Sequence, residues 1–175
     1  RGTSILFGDA AGVVILQKCD DPEIGCFYQT MHADGKPWPA LYIPSCEEEV
    51  VAGDTATTSF GNLRMRGKEV YKFAVTKFQH IAETLLEDTG LTPDDVSQFI
   101  CHQSNMRIIE SAQQKLGLPD DKVYKNISHF GNSSAGAAAL CFDQLWQGGK
   151  IKRGEIIVLL AFGGGLTWAS SAWRI

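Results

Sequence analysis

No apolar run in the sequence approaches the roughly 20 residues that a membrane-spanning helix needs. Basic residues are not in excess either. With 16 Lys and Arg against 20 Asp and Glu, the net charge of −4 gives nucleic acid no electrostatic footprint. The five cysteines (Cys19, Cys26, Cys46, Cys101 and Cys141) show neither zinc-ligand spacing nor a redox CxxC. There is no low-complexity tract, no internal repeat and no visible secretion signal, since Arg1-Gly2-Thr3-Ser4 runs straight into a strand-like segment. Together these absences point away from membrane, nucleic-acid and disulfide-framework proteins. They lead us to expect a cytoplasmic chain with reduced thiols, most of them buried as small apolar residues.

What is present is the composition of an ordinary globular protein, 44% hydrophobic and 21% charged, long enough at 175 residues for one packed domain. Residues 13–18 and 24–31 read as short strands separated by Asp20-Asp21-Pro22. Residues 32–60, rich in Gly, Pro, Ser, Thr and charge, read as a long and partly ordered excursion. In residues 68–88, Val70, Phe73, Ala74, Phe78, Ile81 and Leu85 recur at helical spacing before Gly90 stops the run. A strand over 98–101, a helix over 106–116, a brief strand over 123–125 and a helix over 133–147 come next. Two β-rich runs, 155–162 and 167–175, flank three glycines. Alternating strands and helices imply an α/β domain, and the long apolar strands imply a sheet covered on both faces. The expected architecture is a mixed, mostly parallel sheet of about five strands.

Three junctions carry polar residues where α/β proteins place their sites. In Cys101-His102-Gln103-Ser104-Asn105, His102 stands at a strand end, either facing a pocket or capping the next helix. In His129-Phe130-Gly131-Asn132-Ser133-Ser134, Asn132 is either a helix cap or a site amide, with Gly131 permitting an unusual backbone before it. Gly163-Gly164-Gly165 is either a tight hairpin or a turn whose backbone N–H groups face a developing oxyanion.

Taken together, HQSNMR, HFGNSSAGAA and AFGGGLTWASSAWRI, with FGDAAGVVIL near the start and LRMRGKEVYKFAV in the middle, resemble the C-terminal half of the 3-oxoacyl-(acyl carrier protein) synthase III family. These are thiolase-like condensing enzymes, and the resemblance runs from Phe7 to Ile175. It implies decarboxylative condensation of malonyl-ACP with an acyl-CoA primer, with no cofactor. His102 and Asn132 match the pair that donates hydrogen bonds to the malonyl thioester oxygen, His102 being neutral. Gly164 matches the glycine whose N–H holds the oxyanion on the acyl-cysteine. Phe162 matches a pocket aromatic, and Asn105 a residue near the pantetheine arm. Met65, Gly67 and Phe73 fall in the segment lining the CoA tunnel. Arg107, at the exposed start of a helix, could form with Arg64, Arg66 and Lys68 a basic mouth for CoA phosphates or an acidic carrier protein, as against a plain solvated face.

Two departures from the family pattern stand out. Cys101 replaces a common proline and, by strand alternation, points away from the site. Ser133-Ser134-Ala135-Gly136 replaces Thr-Ser-Ala-Ala. The family's nucleophilic cysteine lies well over 100 residues before the histidine, a setting that none of the five cysteines occupies. The resemblance therefore implies a chain whose residues 1–22 are the last strand region of the N-terminal thiolase half and whose residues 23–175 are the C-terminal domain. It implies as partners acyl carrier protein, acyl-CoA, the N-terminal half and a second copy in a homodimer. This chain alone should be inactive and should expose apolar surface on residues 13–16 and on the small-residue helix. Two rival readings are another acyltransferase on the same fold (chalcone-synthase-like, hydroxymethylglutaryl-CoA-synthase-like or from an antibiotic pathway) and a non-catalytic binding module.

Overall fold

The structure, a computed structural model, describes residues 3–52, 54 and 61–175. In chain order its elements are β1 (Gly25–Ala33), β2 (Leu41–Tyr42), β3 (Arg64–Met65), α1 (Gly67–Thr89), β4 (Val96–Cys101), α2 (Met106–Lys115), α3 (Ile127–Phe130), α4 (Gly136–Gln147), β5 (Ile156–Gly163) and β6 (Thr167–Arg174).

The main sheet has four strands in the order β1-β6-β5-β4, and β2 and β3 form a separate two-stranded pair. The α/β class and the mixed sheet are as expected, but strand number and direction are not. Only β4 and β5 run parallel, while β5–β6 and β6–β1 are antiparallel. The reason lies at the glycine turn. The chain reverses there as a hairpin, pairing Gly163 with Thr167, and a hairpin can only join antiparallel strands. Residues 13–18, expected as a strand belonging with the N-terminal half, lie outside the main sheet and join no ladder among the described residues. The strand expected at 123–125 shrinks to a single bridge between Val123 and Phe99.

The pleat of the sheet sorts its side chains between two cores. Val96, Phe99 and Cys101 of β4 join Val158 and Leu160 of β5 in one cluster. Against them pack Ala74, Phe78, Ile81 and Leu85 of α1 and Ile108, Ile109 and Ala112 of α2. On the other face, Ile100 and Ile157 pack against Cys141 and Leu145 of α4. Helix α1 ends where Gly90 adopts φ 69°, a left-handed conformation that favours glycine, its N–H bonding to the Glu87 carbonyl.

The small-residue start of α4 is explained by its neighbour, which is an extended segment of this same chain. A Cβ on Gly12 would stand 2.3 Å from the Ala139 Cβ, and one on Gly136 would stand 2.7 Å from the Ala10 carbonyl oxygen. Residues 8–12 thus lie directly on the helix and leave its first turns half-buried. Beyond them, Val13, Val14, Ile15 and Leu16 are all exposed, as expected of this stretch. The cysteines depart from expectation. Only Cys101 and Cys141 are buried, while Cys19 before β1, Cys26 in the edge strand β1 and Cys46 in the excursion are exposed.

Phe99 is fully buried between β5 and the helices. Phe99→Ala should lower unfolding free energy by about 3–5 kcal/mol, read from urea denaturation of the intact protein. A loss below about 1 kcal/mol would mean that this cluster is not the stabilising core.

Candidate functional site

His102 follows β4 directly. Its backbone N–H donates to the Leu160 carbonyl at 2.8 Å, continuing the parallel pairing one residue past the strand. The backbone then turns, with Ser104 N donating to the His102 carbonyl. Helix α2 is capped by Asn105, whose side-chain oxygen accepts from Arg107 N at 2.9 Å. His102 therefore does not cap the helix, and its ring is free to meet Phe162 edge-on at 5.2 Å between centroids. Burial lowers the imidazole pKa from an ordinary 6.5 to about 4, because the charged form loses its hydration. Near neutrality the ring is uncharged.

Asn132 is held by the N-terminal segment. Its N–H donates to the Leu6 carbonyl at 2.8 Å, and its carbonyl accepts from Gly8 N at 3.1 Å. This contact needs glycine twice. Gly131 has φ 66°, and a Cβ on Gly8 would stand 1.9 Å from the Phe130 carbonyl oxygen. Asn132 is not the cap of α4, whose cap position is Ala135. Its Oδ1 instead accepts from Ser134 N at 3.0 Å, across a Ser134 whose φ of 54° is unusual for a residue with a Cβ. With Oδ1 engaged by the backbone, the amide presents its NH₂ as the donor.

The glycine turn closes the third side. Thr167 Oγ1 donates to the Gly164 carbonyl at 3.1 Å, fixing the hairpin tip. Gly164 therefore belongs both to a hairpin and to the wall of a cavity of about 900 Å³. That cavity brings together His102, Asn132, Gly164, Phe162, Asn105, Met65 and Gly67. Met65 arrives there because β2 pairs with β3, with Leu41 opposite Met65. Phe73 stands behind the wall, edge-on to Phe162 and Trp168 at 6.2 and 5.7 Å. The four basic residues do not gather on the cavity. Lys68 and Arg107 are exposed, and Arg66 pairs with Asp54 at 3.4 Å and Glu69 at 3.9 Å. Arg64 is half-buried, with Nε and Nη2 lacking hydrogen-bond partners among the described residues.

Cys101 and Cys141 lie in the two cores, and burial pushes both thiols up to about 12, far from the thiolate a nucleophile needs. Sequence reasoning did not find Trp168, Ser104 or Leu6 on the cavity wall. The motif letters contain the first two, but only the hairpin register and the contact of residues 6–8 with Asn132 show why they face inward.

A neutral imidazole and an oriented amide meet on one largely apolar cavity at the carboxyl end of the β4–β5 pair of an α/β domain. Residues 86–175 match the family described as 3-Oxoacyl-[acyl-carrier-protein (ACP)] synthase III C terminal, and the chain belongs to that family. It is 41% identical over 172 residues to the beta-ketoacyl-[acyl-carrier-protein] synthase III of Caldanaerobacter subterraneus, covering 98% of this chain and 52% of that protein. The crystal structure of 3-oxoacyl-[acyl-carrier-protein] synthase III from Aquifex aeolicus superposes with a TM-score of 0.86 at 33% identity, covering 100% of this chain and 52% of that one. The Thermus thermophilus enzyme gives 0.82 at 31% identity, covering 100% and 53%. The chain spans about half the length of the curated relatives it matches. No helix among the described residues is long and apolar enough to cross a membrane.

The depressed histidine has a signed consequence. Between its ordinary pKa of 6.5 and its native value of about 4, the unfolded chain binds a proton at this position that the native chain does not. Native stability should therefore fall as pH drops through that window. In a His102→Gln variant this component should vanish, giving a smaller shift of the urea midpoint between pH 7 and pH 5. Equal shifts in both proteins would mean that His102 is not the buried neutral group described.

Proposed function

We propose that the intact protein containing this chain is a condensing enzyme of fatty-acid biosynthesis, and that this chain supplies its decarboxylating machinery. The observation that carries the reading is the convergence of His102 and Asn132 on one apolar cavity, both in donor form near neutral pH. In the reaction, the malonyl thioester loses CO₂ and the electron pair of the broken C–C bond moves into the thioester carbonyl, forming an enolate. His102 N–H and the Asn132 NH₂ donate to that oxygen as charge grows on it. The enolate carbon then attacks an acyl group held as a cysteine thioester. The new C–C bond forms, the tetrahedral oxyanion rests on the Gly164 N–H, and collapse expels the cysteine thiolate and leaves 3-oxoacyl-ACP. The thioester carbonyl itself accepts the electron pair, so this route calls for no cofactor.

Donors held ready in a largely apolar site need little reorganisation when charge develops, and one such donor is worth about 3–4 kcal/mol. A charged imidazolium would stabilise the ground-state malonyl carboxylate as well. A neutral ring responds chiefly to the enolate, which is the differential binding that accelerates chemistry. Met65, Gly67, Asn105 and Phe162 would guide the pantetheine arm, with Phe73 backing Phe162 from behind the wall and Lys68 and Arg107 free to meet phosphate or an acidic carrier protein. Residues 1–22 would belong to an N-terminal half that supplies the cysteine, in a cytoplasmic homodimer using acyl-CoA and malonyl-ACP.

The two half-reactions separate the roles. In the intact protein, His102→Ala or Asn132→Ala should cut malonyl-thioester decarboxylation by about 10²–10³. Transfer of the acyl group from acyl-CoA to the enzyme should stay within about threefold of the parent rate. Variants that decarboxylate normally but no longer take up the acyl group would overturn the assignment.

A further inference from the structure

Gln103 has no solvent-accessible surface, yet its side chain is an amide with two N–H donors and an accepting oxygen. Both ends are fully engaged. Nε2 donates to the Cys101 carbonyl at 2.9 Å and to the Tyr124 carbonyl at 3.1 Å. Oε1 accepts from Asn126 N at 3.1 Å and Ile127 N at 3.3 Å. Every partner is backbone, and the partners lie on two separate stretches of chain. One is the end of β4, adjacent to His102. The other opens α3, and α3 passes through Gly131 to Asn132. The second stretch is braced in turn on α4, because Asn126 Nδ2 donates to Gln144 Oε1 at 2.7 Å.

We propose that Gln103 is a positioning residue for the reaction assigned above. It ties the loop carrying His102 to the segment carrying Asn132, so that both donors meet a single oxygen. The inference rests on that functional reading. Burying an amide costs free energy unless its groups are paired, and here each of its four bonds also satisfies a backbone group that an apolar side chain would leave without this partner. Four backbone bonds from one side chain set the spacing of two loops more tightly than packing alone. Such spacing matters here, since a misplacement of about 1 Å can cost about 10² in rate.

The test uses Gln103→Met, which keeps length and volume but removes all four bonds, and Gln103→Asn, which keeps the amide but shortens its reach. In the intact protein, Gln103→Met should lower malonyl-thioester decarboxylation by about 10- to 100-fold while acyl transfer from acyl-CoA stays within about threefold. Gln103→Asn should fall between. Added to His102→Ala, Gln103→Met should cost little more than His102→Ala alone, because no donor pair remains to be aligned. Equal losses in both half-reactions, full additivity with His102→Ala, or failure of both Gln103 variants to fold would reduce Gln103 to a structural strut and overturn the proposal. Unchanged decarboxylation in Gln103→Met, in a protein that His102→Ala inactivates, would overturn the positioning role alone. A His102→Ala variant that decarboxylates at the parent rate would overturn the functional reading and this inference with it.

Discussion

The parallel pairing of β4 with β5 fixes the position of most of the site. It places Cys101 opposite Leu160, and the next bond, from His102 N to the Leu160 carbonyl, carries the register into the cavity. From the same register, Phe162 lies just beyond Leu160 on β5, within edge-on reach of the imidazole, and the glycine turn begins one residue later. Both strands are clamped by apolar side chains on their two faces. Cys101, the last residue of β4, is itself part of a core, so the backbone leading into His102 is held by close packing. A histidine at that point has its backbone fixed before its side chain makes any contact.

Asn132 is supported differently. It belongs to no main-sheet strand, and its backbone is gripped by Leu6 and Gly8 from the start of the chain. The two proposed donors thus come from two mechanical systems, a buried parallel strand and a glycine-rich crossing of two loops. The crossing is close enough that side chains are excluded at Gly8, Gly12 and Gly136. This accounts for the small residues in both the FGDAAG and the SSAGAA stretches, whose local propensity alone gives them no reason to match.

Much of this was legible in the sequence. The 3.6-residue period of α1, the stop at Gly90 and the strand–histidine–helix order of the β4–α2 junction all come from local chemistry, and all appear in the structure. What could not be read was long-range. Strand direction after β5 depends on whether the chain reverses or crosses over, and three glycines permit either a hairpin or a wider loop. Residues 13–18 have the apolar, β-branched content of a strand, but a strand needs a partner, and pattern does not supply one. Arg64 and Arg66 looked like neighbours of Arg107 in a basic patch, but the β2–β3 pair turns one inward and Asp54 engages the other. The exposed thiols were misjudged because cysteine is usually buried, a tendency that holds only where a core exists to receive it.

The distribution of buried polar groups joins these points. Gln103, Ser104, Asn126, Asn132 and Ser133 are all buried, and all lie on the two short stretches leading to or containing the proposed donors. Gln98, Gln113 and Ser170 are buried too, on β4, α2 and β6, so five of the eight buried polar residues among the described ones lie on those two stretches. The buried amides of Gln103 and Asn126 add little net stability, since each exchanges bonds to water for bonds to protein, and the Ser104 and Ser133 hydroxyls have no partner among the described residues. Their concentration at one end of the sheet is therefore poorly explained by folding alone. It is what a site requires if uncharged donors must be held in place while a negative charge forms between them. Their own hydrogen-bonding groups must be fixed by neighbours, and the neighbours must be buried so that water does not compete. An imidazole kept neutral by burial and an amide oriented by a backbone N–H satisfy the same condition by two routes.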